Sequence, residues 1–224
     1  MCGRFTLAVD LEEVREAFAL HSVPAEAGPR YNIAPTQPVL ALTNEGRRDA
    51  AWLRWGLIPS WAKDESIGSR MINARAETLA EKPSFRNAFR QRRCVIFADG
   101  FYEWQKQGNR KVPLYIRVQE GEPFAMAGLW EVWKPRDGGD WIRSCAIVTT
   151  EPNGFMAAIH NRMPVILEGE AMERWLTPGE LPPGELMPLL RPYADEAALS
   201  AYPVSRLVNN PANDLPICIA PLEA

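Results

Sequence analysis

The chain has 224 residues, 46% of them hydrophobic, and a formal net charge of -3. That length suits one sizeable core and is read as one domain over 1–224. The acidic total excludes a protein that coats nucleic acid by bulk electrostatics, so any such binding needs a local basic groove. No apolar run approaches the roughly 20 residues of a membrane span, and no basic-then-apolar leader opens the chain, so a soluble intracellular protein is expected.

In chain order, Asp10-Leu-Glu-Glu13 reads as a capping box. Leu11, Val14, Ala17 and Phe18 follow at helical spacing, predicting a helix over 11–20. Pro29 to Pro35 is too proline-rich for a central strand, and the apolar runs at 38–43 and 51–58 predict strands. Ser84 is a candidate N-cap for a helix over 84–93, with Phe85 and Phe89 on one face and Arg86, Arg90 and Arg93 on another.

Short β segments are predicted at 94–98, 101–105, 113–118, 123–132 and 142–150, parted by Gly, Asn, Asp and Pro turn signals. A short helix ending near His160, a strand at 163–167 and helices over 169–176 and 195–201 complete the pattern, with Pro-rich connections around 178–192. The class is α+β: a mostly antiparallel sheet or barrel with flanking helices.

Cys2, Cys94, Cys145 and Cys218 form no C-x-x-C pair, and His21 and His160 share no ligand spacing with them. Neither a disulfide framework nor a metal site is expected. Cys94, Cys145 and Cys218 have apolar neighbours and read as small buried hydrophobes.

Cys2 differs by its place in the chain. A small second residue permits removal of Met1, which would leave Cys2 with a free α-amine beside its thiol. The α-amine has an unperturbed pKa of about 7.7 to 8.0, against about 10.4 for lysine, so far more of it than of a lysine is neutral and nucleophilic at neutral pH. An aldehyde is its natural target: the amine forms a Schiff base, and the thiol closes on the same carbon to give a thiazolidine. That second step is intramolecular, an advantage on the order of 7 to 11 kcal/mol when the geometry is right.

Four segments together resemble the SRAP family: Met1-Cys-Gly-Arg-Phe5, Asn73-Ala-Arg75-Ala-Glu77-Thr78, Ala98-Asp-Gly-Phe-Tyr-Glu103-Trp104 and Ile159-His160-Asn-Arg162-Met-Pro164. Arg30-Tyr-Asn32-Ile-Ala-Pro35, Trp55 to Trp61 and Tyr202 to Val208 extend the likeness over nearly the whole chain, in the expected order. The resemblance implies a protein that shields abasic sites in single-stranded DNA by a thiazolidine crosslink to Cys2, without metal or organic cofactor.

It further implies a catalytic set of Cys2, Asn73, Glu103 and His160. Glu103 would be the acid that opens the closed sugar, with a raised pKa. His160 would be the second proton-transfer group, and Asn73 the amide that orients the Cys2 amine or the sugar hydroxyls. Arg75 and Arg162 match phosphate-contacting positions. Arg4 lies in a matching motif, with internal pairing to Glu77 as its alternative. Asn32 joins the DNA-facing set, Pro35 and Trp61 offer surfaces for bases, and Arg86 and Arg90 would extend the groove. Some family members carry a second Trp after the position of Trp61, where this chain has Ala62.

Two rival functions remain open on the residues alone: an N-terminal-nucleophile hydrolase of the peptidase or amidotransferase kind, and a non-covalent module for single-stranded DNA. Abasic-site lyase activity through the same Schiff base is expected as a secondary activity, and autoproteolytic activity as an associated one. A monomer is expected, in the cytoplasm of a bacterium or the nucleus of a eukaryote.

Overall fold

A computed structural model describes residues 2–25, 28–136 and 138–222. Its strands are β1 (Phe5–Leu7), β2 (Arg30–Ile33), β3 (Pro38–Thr43), β4 (Ala51–Trp55), β5 (Asn73–Arg75), β6 (Arg93–Ala98), β7 (Gly100–Gln107), β8 (Arg110–Val118), β9 (Phe124–Trp133), β10 (Ile142–Thr150), β11 (Met163–Pro164), β12 (Ile166–Leu167) and β13 (Leu199–Pro203). The α-helices are α1 (Leu11–Ala17), α2 (Arg86–Gln91), α3 (Gly154–Ala157), α4 (Gly169–Trp175) and α5 (Pro183–Leu186). None of the described helices is long and apolar enough to cross a membrane.

The strands make two sheets. One runs β13-β8-β7-β1-β2; the other runs β11-β10-β4-β3-β6-β9-β12. In the second, β9 also pairs with β10, from Ile142↔Trp133 to Ile147↔Gly128, and this closes β10, β4, β3, β6 and β9 into a barrel. Closure removes the open edges that such a sheet would otherwise expose. The predicted α+β class, with an antiparallel barrel-like core and few helices, is the architecture found. One apolar core joins the two sheets through Phe5 of β1, whose ring meets Trp55 of β4 edge-on at 5.0 Å.

Several predicted boundaries shift. The first helix stops at Ala17, and Ala19 takes a φ of 47°. The predicted strand 51–58 ends at Trp55, because Gly56 has a φ of 119° and a Cβ there would lie 2.5 Å from Gly68 O. That approach fixes how the segment carrying Trp61 leaves the barrel. The predicted helix at 195–201 is mostly strand: a single turn at Glu196–Ala198 is followed by β13, paired with β8 from Leu199↔Val118 to Pro203↔Leu114. Sheet pairing here overrides local helical pattern.

The second predicted helix keeps only 86–91, and Phe85 rather than Ser84 stands at its N-cap. Arg93 does not share an exposed basic face. It is fully buried, and its guanidinium donates to the carbonyls of Arg90, Trp175, Thr177 and Gly179. Those oxygens belong to the C-terminal ends of α2 and α4 and the turn beyond, where helix carbonyls lack partners and carry partial negative charge. Burial pushes the Arg93 guanidinium down to about 10. Arg93→Ala strands these carbonyls without donors, so it should lower unfolding free energy by about 3 kcal/mol or more in urea titration. A loss under about 1 kcal/mol would mean that water replaces the guanidinium without penalty.

Candidate active site

β1 and β7 pair in the register Phe5↔Phe101 and Thr6↔Gly100, and Tyr102 N donates to Arg4 O at 2.9 Å. Continued toward the N-terminus, this antiparallel register sets Cys2 and Gly3 against Glu103 and Trp104. Asp99 anchors the other end of β1: its carboxylate accepts from Thr6 Oγ1, from Ala8 N at 2.6 Å and from Val9 N at 2.9 Å. Cys2 and Glu103 are both buried.

β5 brings the next residue. It lies parallel to β10, with Ile147↔Asn73 and Thr149↔Arg75, and Asn73 Nδ2 donates to Cys2 O at 2.8 Å. Asn73 Oδ1 is buried with no hydrogen-bond partner among the described residues, an acceptor next to the Cys2 backbone. A buried polar atom of this kind costs stability unless something donates to it.

His160 enters from the loop after α3, where Asn153 caps the helix by accepting from Met156 N and His160 N donates to Met156 O at 2.8 Å. Its Nε2 lies 3.9 Å from Glu103 Oε2. Its Nδ1 accepts the backbone N–H of Arg162 at 3.1 Å, which places the proton of the neutral ring on Nε2, facing Glu103. Burial raises the Glu103 carboxyl above its ordinary value, with the His160 charge opposing the rise. Burial and then the Glu103 charge push the Cys2 thiol up as well. The resting cluster therefore favours a neutral thiol beside a carboxyl shifted toward its protonated form.

Of the expected DNA-facing residues, Arg75 and Arg162 stand with Asn73 at the Thr149 end of β10, and Pro35 and Trp61 lie on the segments that flank Trp55. Arg75 is exposed beside Asn73. Arg162 grips both Glu77 oxygens, at 2.6 and 3.0 Å, and donates to Thr149 O at 2.6 Å. Trp61 is 56% exposed. Pro35 is half-buried and precedes Thr36, a β-branched residue held at a φ of 73° by Thr36 N donating to Trp55 O at 2.8 Å. Left-handed backbone at such a residue is strained and persists only where neighbours over-determine it. Leu57 N to Met71 O and Trp55 Nε1 to Ile72 O tie this segment to the approach to Asn73.

Four others lie differently. Asn32 is buried, and its amide is spent on Arg4 and on the carbonyls of Val208, Asn210 and Asn213. Arg4 does not pair with Glu77, which Arg162 holds; its Nη1 donates to Asn32 Oδ1 and Val208 O, both at 2.7 Å, and it lies over the Trp104 ring. Arg86 and Arg90 are exposed, but α2 is tied to the connection after α4, where Arg90 pairs with Glu180. Sequence patterning passed over Gln105, two residues beyond Glu103 on the same face of β7, whose amide donates to Ala158 O at 2.9 Å and so holds the His160 loop. The period of two along β7 is the signal that would have found it.

The SOS response associated peptidase (SRAP) family model matches residues 1–211. The abasic site processing protein YoqW of Bacillus subtilis is 47% identical, over 96% of this chain and 97% of its own. The abasic site processing protein HMCES of Xenopus tropicalis is 33% identical, over 98% of this chain and 78% of its own. A crystal structure of a protein from Bacteroides thetaiotaomicron superposes with a TM-score of 0.89 at 29% identity, covering 99% of this chain and all of that one.

Because Glu103 is raised by burial in the fold, its contribution to stability is present below its unfolded pKa and lost as pH rises through the folded value. Glu103→Gln should therefore raise the urea midpoint at pH 7 to 8, with the gain vanishing as the pH falls toward ordinary carboxylate values. A midpoint that drops equally at every pH would show that Glu103 is a stabilising structural acceptor instead.

Proposed function

The chain belongs to the SRAP family, and on that premise we propose that it processes abasic sites in single-stranded DNA by covalent capture on Cys2 once Met1 is removed. The observation that carries the proposal is the juxtaposition of Cys2 with Glu103, Asn73 and His160: Asn73 Nδ2 lies 2.8 Å from Cys2 O, and His160 Nε2 lies 3.9 Å from Glu103 Oε2.

The chemistry runs in four steps. Protonated Glu103 donates to the ring oxygen of the closed sugar while its other oxygen takes the proton of the C1′ hydroxyl, so the aldehyde opens and Glu103 is left protonated for the next steps. The neutral α-amine of Cys2 adds to C1′, giving a carbinolamine. Loss of its hydroxyl as water, with a proton from Glu103, gives the imine. The Cys2 sulfur then adds to the imine carbon, and the thiol proton passes through Glu103 to the nitrogen, closing the thiazolidine. One water leaves in the whole sequence, and no oxidant or reductant is needed.

Each neighbour has a defined part. A thiol kept neutral by burial does not compete with the amine for the aldehyde, and reacts only when the imine is beside it. Asn73 holds the Cys2 backbone, and its Oδ1 is an acceptor for the amine or a sugar hydroxyl. His160, with its proton on Nε2, donates to the developing oxyanion of the opened sugar. Arg75 and Arg162 face the flanking phosphates, and Trp61 and Pro35 the adjacent bases, where stacking contributes about 1 to 3 kcal/mol per base without sequence preference.

Intact mass and denaturing gels with Met1-free protein and DNA bearing one abasic site test this. Wild type should give an adduct that survives without borohydride. Cys2→Ser keeps the amine but lacks sulfur, so its adduct should depend on borohydride trapping. Glu103→Gln should slow adduct formation by about 10² to 10⁴, the usual worth of a positioned acid–base group. The alkaline limb of the wild-type pH–rate profile, where Glu103 gives up its proton, should lie above the ordinary carboxylate range and vanish in Glu103→Gln. A Met1-free wild type that forms no adduct with abasic DNA would overturn the proposal.

A further inference from the structure

We propose that the tip of the β7–β8 hairpin is a second anchoring surface for the sugar–phosphate backbone of the captured strand, engaged by Lys106, Arg110 and Lys111. This rests on the DNA-capture reading of the Cys2 site and extends it outward along the strand that supplies Glu103.

The hairpin continues β7 past the site. β1 pairs β7 at Phe101 and Gly100, and β13 pairs β8 only from Leu114 to Val118. From Gln105↔Val112 outward, through Lys106↔Lys111 and Gln107↔Arg110, β7 and β8 therefore pair only with each other, as a projecting two-stranded ribbon. Its Gly108-Asn109 turn has a φ of 61° at Gly108, as the first central position of a type II′ turn requires. The ribbon is braced: Gln107 Nε2 donates to Gln105 Oε1, and Gln105 Nε2 to Ala158 O in the loop before His160. At about 3.4 Å per residue, Lys106 stands only about 10 Å along the strand from Glu103.

The tip gathers three exposed cations on one turn of chain, where many other surface arginines are held by carboxylates. Arg15, Arg48, Arg54, Arg90, Arg143 and Arg174 each pair with a carboxylate. Lys106, Arg110 and Lys111 are exposed, and none has a carboxylate among the described residues within ion-pairing distance. Lys106 lies directly opposite Lys111, an arrangement of like charges that weakens a strand pair. In a chain of net charge -3, three exposed cations on a braced ribbon, Lys106 and Lys111 on the face of Trp104 and Arg110 on that of Glu103, form a local site for a polyanion that continues outward from the Cys2 cluster. The alternative is a solvated tip whose lysines merely deter edge pairing.

The test measures binding of single strands carrying a tetrahydrofuran abasic analogue, which has no aldehyde, by fluorescence anisotropy across a salt series. The probes have the analogue flanked by about two or about ten nucleotides on each side; neutralising two phosphate contacts on a single strand removes about 1.4 from the slope of log affinity against log salt. Lys106→Gln/Lys111→Gln should show that reduced slope and about 10-fold or greater weakening on the long probe, with the short probe unchanged. Arg110→Gln should show about half the slope change. Slopes equal to wild type on the long probe, or equal weakening on both probes, would overturn the proposal and leave a solvated tip. Because the probe cannot react, this outcome is independent of the covalent step: failure of the Cys2 reading appears instead as wild type that binds the analogue yet forms no adduct with the aldehyde.

Discussion

The site depends on the burial of Cys2 at the start of β1. An N-terminal segment ordinarily frays, because few contacts repay its lost entropy. Here it is held on both sides and along its length. β2 and β7 flank β1, Asp99 binds the backbone of Ala8 and Val9, and Phe5 fills the junction of the two sheets against Trp55. Once β1 is fixed in this register, Gly3 falls opposite Glu103, and Cys2, held also by Asn73, comes to lie one residue along from it.

The electrostatics of the cluster follow from that burial. In a solvated groove, Glu103 would be an ordinary carboxylate and the Cys2 thiol an ordinary thiol. Withdrawn from water, both are pushed toward their neutral forms, and each charge acts on the other with little screening. His160 moderates this, with one ring nitrogen held by the Arg162 backbone and the other turned to Glu103. The same short loop thus sets the tautomer of His160 and, through the Arg162 side chain on Glu77 and Thr149, its own position on the barrel end. A catalytic contact and an anion-binding group are coupled by one backbone hydrogen bond.

Much of this was legible in the sequence, for identifiable reasons. Short strands bounded by Gly, Asn and Pro gave the α+β class and most strand positions, because period-two patterning reports a pleated, half-buried surface. Residue types at the cluster were readable because a terminal aminothiol, a carboxyl, an amide and an imidazole each carry recognisable chemistry. The way the barrel closes was not readable: β9 and β10 form a hairpin, but closure also needs the parallel pairing of Arg54 and Trp55 with Ser144 and Cys145, far apart in the chain, which leaves no local trace. Nor was β13, whose helical pattern yields to the edge of β8. Arg93 was misplaced since a cation at helical spacing looks solvent-facing, whereas its true partners are carbonyls more than eighty residues away.

Arg4 and Asn32 mark the limit of transferring roles through motifs. Both stand in matching segments, yet the Asn32 amide and the Arg4 Nη1 are committed to a node with Val208, Asn210 and Asn213. Asp214 completes the node by accepting from the backbone of Tyr31 and Asn32 and from Arg30. The effect is to bind the 205–214 segment across β2, directly behind Arg4 and therefore behind Cys2. A residue two positions from the nucleophile is thus held by groups two hundred residues later in the chain. The motif around Cys2 is intelligible only together with this distant segment, because the reactive cysteine has a fixed position only when both are in place.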